Sequence, residues 1–203
     1  QNNPLIKNIL NNLSIKSDDY LASGTYGSVY KYGQHLLLKV TSDIEEAIFA
    51  KNIEHKKLER VAEIYSVKKV YDKKSNDRLF IIIVEKLNYL NEDNIEILDK
   101  IEDVDSDEER NGKQFLNLDD YFNNLKSRVK SDKINFSWIT KIPNKELIWC
   151  LTEYRNLMDF LLHNKNLGRD GFKDVHTGNM GLKNGKLAVY DIQVDEFKSW
   201  KVN

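Results

Sequence analysis

Apolar and polar positions along this chain change period several times, and each change predicts an element. In 1–17, Leu5, Ile6, Ile9, Leu10 and Leu13 fall at helical spacing. They predict a short amphipathic helix whose plain role is to pack on the domain behind it. From Tyr20 the pattern is extended: Tyr20-Leu21-Ala22-Ser23, then Ser28-Val29-Tyr30-Lys31, then His35-Leu36-Leu37-Leu38-Lys39-Val40. These predict three strands, the first two joined by a glycine-rich turn. Ile44, Ala47, Ile48, Lys51 and Ile53 return to a helical period, with Ser42 or Asp43 as the cap. Glu45 and Glu46 lie in its first turn, where acidic side chains favour the helix dipole. Residues 61–70 predict a strand, 72–77 a turn, and 79–84, bounded by charge, a buried central strand. Residues 91–110 are strongly acidic and sparse in apolar residues, which predicts a surface insertion or a loose helix and loop. Leu116, Leu118, Tyr121, Phe122 and Leu125 predict an amphipathic helix, and 131–142 a loop. Pro143 suits the first turn of a long helix with a broad buried face from Leu147, Ile148, Leu151, Tyr154, Leu157, Met158, Leu161 and Leu162. Near the end, Asn184-Gly185 between two apolar runs is a strong hairpin signal.

Composition narrows the class. At 203 residues the chain holds one large domain or two small lobes. The net charge of −1 gives no reason to expect nucleic acid or a membrane surface as partner. No apolar run reaches membrane-spanning length and no signal peptide is visible, so the expectation is a cytoplasmic protein, in the host cytoplasm if it is viral. The single cysteine, Cys150, lies among Leu147, Ile148 and Leu151 and reads as a core thiol.

The candidate chemistry lies in 172–193. Asp174 can accept a proton from a hydroxyl, Asn179 can ligate a cation through its amide oxygen, and Asp191 can hold a second cation or share the first. The intervening hairpin should bring Asn179 and Asp191 together, with Asp174 nearby. One carboxylate and one amide oxygen, with room for water and phosphate, suit Mg²⁺. The string Asp174-Val175-His176-Thr177-Gly178-Asn179, then a hairpin and an apolar-Asp pair, resembles the catalytic and metal-binding loops of protein kinase-like enzymes. It is closest to the Asp-x-His-x-x-Asn form of aminoglycoside phosphotransferases, choline kinases and small atypical kinases, prokaryotic or viral.

Upstream residues extend the resemblance. Gly24, Gly27 and Val29 match the kinase loop Gly-x-Gly-x-x-Gly-x-Val, with Ala22 in place of its first glycine. Lys39 resembles the lysine that pairs with the nucleotide's α- and β-phosphates. In the family a glutamate of the next helix holds that lysine. Glu46 fits best, since Glu-Ala-x-x-x-Lys resembles the family pattern, and Glu45 is the alternative. Glu85-Lys86-Leu87 resembles the hinge, where adenine bonds to backbone at Glu85 and Leu87, with Val84 as a small gatekeeper behind the base. Taken singly, each feature has a plainer reading: a β-turn, an edge-strand lysine, a solvated acidic face. Their order along the chain is what carries the resemblance.

The resemblance implies an α+β, bilobal, protein kinase-like fold. An antiparallel β-sheet N-lobe would span 1–86, and a mostly helical, truncated C-lobe would span 87–203. Only Ile192 to Asn203 follow Asp191, and Gln193 stands where a glycine is usual. The implied function is an ATP- and Mg-dependent phosphotransferase, first of all a small atypical Ser/Thr protein kinase. Asp174, Lys39 and Glu46 would be catalytic, and Asn179 and Asp191 would hold the metal. The acceptor would be a protein or small-molecule hydroxyl. The alternatives are a small-molecule phosphotransferase, for which His176 speaks, and an inactive pseudokinase serving as a binding or regulatory module. Acidic 91–110 would then suit a basic partner or a cationic substrate.

Overall fold

The computed structural model describes residues 3–73, 76–110, 144–164, 167, 172–173, 175–190 and 193–194. The predicted segments 116–130 and 131–142 lie outside them. The fold class is α+β, an antiparallel sheet combined with helices, as expected.

The sheet has five strands: β1 (Tyr20–Ser23), β2 (Gly27–Lys31), β3 (Leu36–Thr41), β4 (Ile64–Asp72) and β5 (Asp77–Glu85). Their order across the sheet is β1-β2-β3-β5-β4, and every neighbouring pair is antiparallel. Side chains alternate between faces, so each strand of this sheet serves two layers. On one face Tyr30, Leu38, Val40 and Leu79 are buried against Ile9 of helix α1 (Pro4–Asn12). The Asn3 side chain caps α1 by accepting from Leu5 N–H at 2.7 Å, and Pro4 opens it. On the other face Leu37, Ile82 and Val84 meet Phe49, Ala50 and Ile53 of α2 (Ile44–Ile53). That buried cluster continues without a break through Ile97 and Leu157 to Val189.

Strand β4 begins at Ile64 rather than at Val61, for a tertiary reason. Residues 60–62 pair elsewhere: Ala62 N–H donates to Val189 O at 2.9 Å and Val189 N–H to Arg60 O at 3.0 Å. Val61, fully buried, is bridged to Val189.

The acidic segment is a correction. It forms one helix, α3 (Glu92–Arg110), in place of an insertion or loose helix and loop. Asn91 starts it by accepting from Asn94 N–H at 2.7 Å. Ile97, Leu98 and Ile101 all face the core and are buried. Few apolar residues suffice because they share one face, a point that composition conceals.

Helix α4 (Asn144–His163) follows, burying Cys150, Tyr154, Leu157 and Leu161. Ile148 and Leu162, expected on the same face, are 63% and 54% exposed, because each stands one residue off that stripe. Short strands β6 (Phe172–Lys173) and β9 (Gln193–Val194) pair with each other. Between them β7 (Met180–Lys183) and β8 (Lys186–Val189) form the expected hairpin. Its turn residues Asn184 and Gly185 take φ of 52° and 78°, the left-handed backbone that a two-residue turn needs. Among the described residues, no helix is long and apolar enough to cross a membrane.

Candidate functional site

The site begins on the central strands. Register sets Lys39 of β3 between Val29 of β2 and Ile82 of β5, on the face that carries Leu37 and Val84. Helix α2 crosses that face. The Asp43 carboxylate caps it, accepting from Glu45 N–H at 2.8 Å and Glu46 N–H at 3.2 Å. The cap fixes the helix phase, and that phase decides between the two glutamates. Glu46 is buried and its Oε1 lies 2.5 Å from Lys39 Nζ, whereas Glu45 is exposed. Both partners of the pair are largely shielded, with side-chain exposures of 22% for Lys39 and 9% for Glu46. A shielded ammonium–carboxylate pair is held more firmly than an exposed one.

The glycine-rich turn joins β1 and β2 at one edge of this sheet. Gly24 N–H donates to Gly27 O at 3.0 Å and closes the turn, leaving Gly24 and Tyr26 exposed. Ala22 pairs with Val29 across β1 and β2. Gly27 is required by close packing: a Cβ there would lie 2.6 Å from Val40 O of β3. Gly24 meets no such limit, since nothing lies within 4 Å of its ideal Cβ.

At the far end of β5, Val84 is buried and Glu85 is fixed through its side chain. Glu85 Oε2 accepts from Glu63 N–H at 3.0 Å and lies 2.7 Å from Lys183 Nζ, which also donates to Val61 O at 2.8 Å. Lys86 N–H donates to His35 O at 2.8 Å. Leu87 is buried, and its N–H donates to Tyr190 Oη at 2.6 Å. The Tyr190 hydroxyl in turn donates to Leu87 O at 3.2 Å. Burial is the main cause that pushes the Tyr190 hydroxyl up to about 12. Asn88 and Leu182 exchange backbone hydrogen bonds at 2.9 and 2.8 Å, docking β7 on the segment after β5.

The loop before the hairpin is a 3-10 turn, Thr177–Asn179. His176 Nδ1 accepts from Gly178 N–H at 3.1 Å, and Asn179 N–H donates to His176 O at 2.8 Å. Tyr190 N–H donates to Asn179 O at 2.8 Å. The hairpin thus sets Asn179 beside the residue that directly precedes Asp191. Asp174 and Asp191 themselves lie outside the described residues. The Asn179 amide and a carboxylate at 191 are hard oxygen donors, a set that fits Mg²⁺.

Several residues of this region carry no signal in the sequence. Tyr190, Lys183, and the buried pair Arg60–Glu153 are defined by partners far along the chain. Glu102 of α3 is another. Burial holds its carboxyl above the ordinary range.

No protein-family model and no curated protein sequence matches this chain. Solved structures similar to this chain include three at 18% identity. One is a streptomycin–ATP ternary complex of APH(2")-IIa, with TM-score 0.33 over 96% of this chain and 72% of that chain. A second is a gentamicin complex of APH(2")-IIa, with TM-score 0.37 over 97% and 72%. The third is the aminoglycoside phosphotransferase APH(2'')-Ib bound to ADP, with TM-score 0.33 over 96% and 72%.

Proposed function

We propose that this chain is an ATP- and Mg²⁺-dependent phosphotransferase that moves a γ-phosphate onto a hydroxyl group. The observation that carries the reading is the Lys39–Glu46 pair, 2.5 Å apart, between a central strand and a capped helix beside a glycine-rich hairpin. A lysine so held has the charge and rigidity to align a polyphosphate. Gly24 and Gly27, with Ala22 and Val29, would cover the nucleotide. Val84, Glu85 and Leu87 would meet the base. Asn179 and Asp191 would hold Mg²⁺, which when bound offsets charge on the transferring phosphoryl group. Asp174 would orient the acceptor hydroxyl and take its proton. The acceptor we favour is a protein serine or threonine, and a small-molecule alcohol is the second choice, suggested by His176.

The test compares wild type, Asp174→Ala and Asp191→Ala, with Mg·ATP binding and phosphoryl transfer measured on the same samples. Acceptors are generic proteins, cell lysate, and small alcohols that include an aminoglycoside. Asp174→Ala should keep nucleotide binding and lose on the order of 10²–10⁴-fold in transfer, the usual cost of removing a general base. Asp191→Ala should lose Mg-dependent affinity. Transfer that survives Asp174→Ala unchanged would sink the mechanism.

A second reading is a binding module on a kinase-like scaffold. The observation that favours it is the bond from Leu87 N–H to Tyr190, which engages a backbone group assigned above to the base. It predicts no transfer in the wild type to any acceptor.

A further inference from the structure

After β5 the backbone edge of Leu87 is engaged on both sides by one side chain. Its N–H donates to Tyr190 Oη at 2.6 Å, and its carbonyl accepts from the same hydroxyl at 3.2 Å. A purine base offers a similar pair of groups along one edge: a ring nitrogen that accepts and, in adenine, an exocyclic amine that donates. Tyr190 also brings an aromatic ring. That ring, like Leu21 and Val29 of the glycine-rich hairpin and Leu182 of β7, is half-buried against the main core. All four pack against the buried cluster that also holds Val84 and Leu87.

Two contacts keep Tyr190 there. Its own N–H is bonded to Asn179 O at 2.8 Å. Strand β7 lies tight against residue 87, for a Cβ on Gly181 would come within 2.7 Å of Leu87 Cβ.

We infer that Tyr190 is an internal occupant of the base site, and that a nucleotide binds only when the Tyr190 hydroxyl leaves the Leu87 backbone. Tyr190 would then set nucleotide affinity, since apparent affinity falls with the fraction of molecules in which the site is open. The inference rests on the proposed function, which assigns Leu87 to the base. It adds a competitor within the chain and predicts that deleting a hydroxyl improves binding.

The experiment uses the full chain and the variants Tyr190→Phe and Tyr190→Ala. Amide exchange at Leu87 should be slow in the free wild type and faster in Tyr190→Phe, which keeps the ring and loses the hydroxyl. Calorimetric titration should show Mg·ATP binding Tyr190→Phe about fivefold more tightly than wild type, the scale of one neutral hydrogen bond released. Mg·tripolyphosphate, which has no base, should bind both alike. Equal or weaker ATP binding in Tyr190→Phe would overturn the inference. Where Lys39→Ala still lowers ATP affinity, that result leaves the phosphotransferase reading standing. A parallel gain for tripolyphosphate would also overturn it, because the effect would not be at the base. No ATP binding in the wild type, Tyr190→Phe or a folded Tyr190→Ala would sink both.

Discussion

Arg60 and Glu153 meet at 2.8 Å across 93 positions of the chain. Arg60 Nη1 also donates to Leu187 O at 3.0 Å, and Glu153 Oε2 accepts from Leu187 N–H at 2.9 Å. One ion pair therefore joins the segment before β4, helix α4 and strand β8. Only 7% of the Arg60 side chain and 13% of the Glu153 side chain are exposed. The buried charges are compensated by each other and by the N–H and C=O of one residue, Leu187.

Breaking this pair from one side should be costly. Arg60→Met leaves a buried carboxylate without its cation, a change worth about 3–5 kcal/mol. Urea unfolding should show that loss, and Arg60→Met/Glu153→Leu should recover part of it. A single variant as stable as wild type would show that the pair does not hold these segments.

The same pair predicts an acid limb. Burial alone would raise the Glu153 carboxyl, but the hydrogen bonds from Arg60 and the Leu187 N–H outweigh it and hold the group below its ordinary 4.5. A lowered folded value contributes stability that is complete above the unfolded value and is lost as pH falls through the folded one. Wild type should lose stability below about pH 4.5 more steeply than Glu153→Gln. Parallel pH profiles of denaturation midpoints would contradict this.

Cys150 should be inert while the protein is folded. It is fully buried, its Sγ lies 3.5 Å from Asn94 Oδ1, and burial, then the nearby Glu146 charge, push it up to about 12. Ellman's reagent at mildly alkaline pH should react only after denaturant is added, since thiolate is the reactive form. Rapid labelling of the native protein would refute the placement.

The glycines of the hairpin should separate under alanine substitution. Gly27→Ala drives a Cβ against the Val40 carbonyl, whereas Gly24→Ala meets open space. The first should cost about 1–3 kcal/mol, the scale of overpacking, and the second should leave stability near wild type. Thermal melts of the two variants decide it.

Glu46→Gln and Glu45→Gln should likewise differ. Glu46 faces Lys39 and Glu45 is exposed, so Glu46→Gln should weaken Mg·ATP binding or transfer by about tenfold, the scale of a charged hydrogen bond. Glu45→Gln should be silent in the same assay. Equal effects would remove the pair from the site.

Short-range rules decided a good deal of this molecule from its sequence. The β7–β8 turn was legible because Asn184 and Gly185 accept left-handed backbone at little cost. The start of α2 was legible because Asp43 can cap it, and the central position of β5 because its apolar run is unbroken. Partner choice over long distances was not legible. Glu45 and Glu46 are alike as residues, and only the phase of α2 against β3 set one of them on Lys39. Residues 60–62 suit a strand in composition, yet the hydrogen bonds of β8 and the Arg60–Glu153 pair drew them away from β4. The acidic helix kept its few apolar residues on one face, a matter of angle and not of content. Tyr190 reads as one more residue ending an apolar run. Its hydroxyl found Leu87, 103 positions away, only because the hairpin and the end of the sheet pack together in three dimensions. Caps, turns and periodicity act within a few residues and so are written locally, whereas a buried polar group takes whatever partner the finished packing brings within reach.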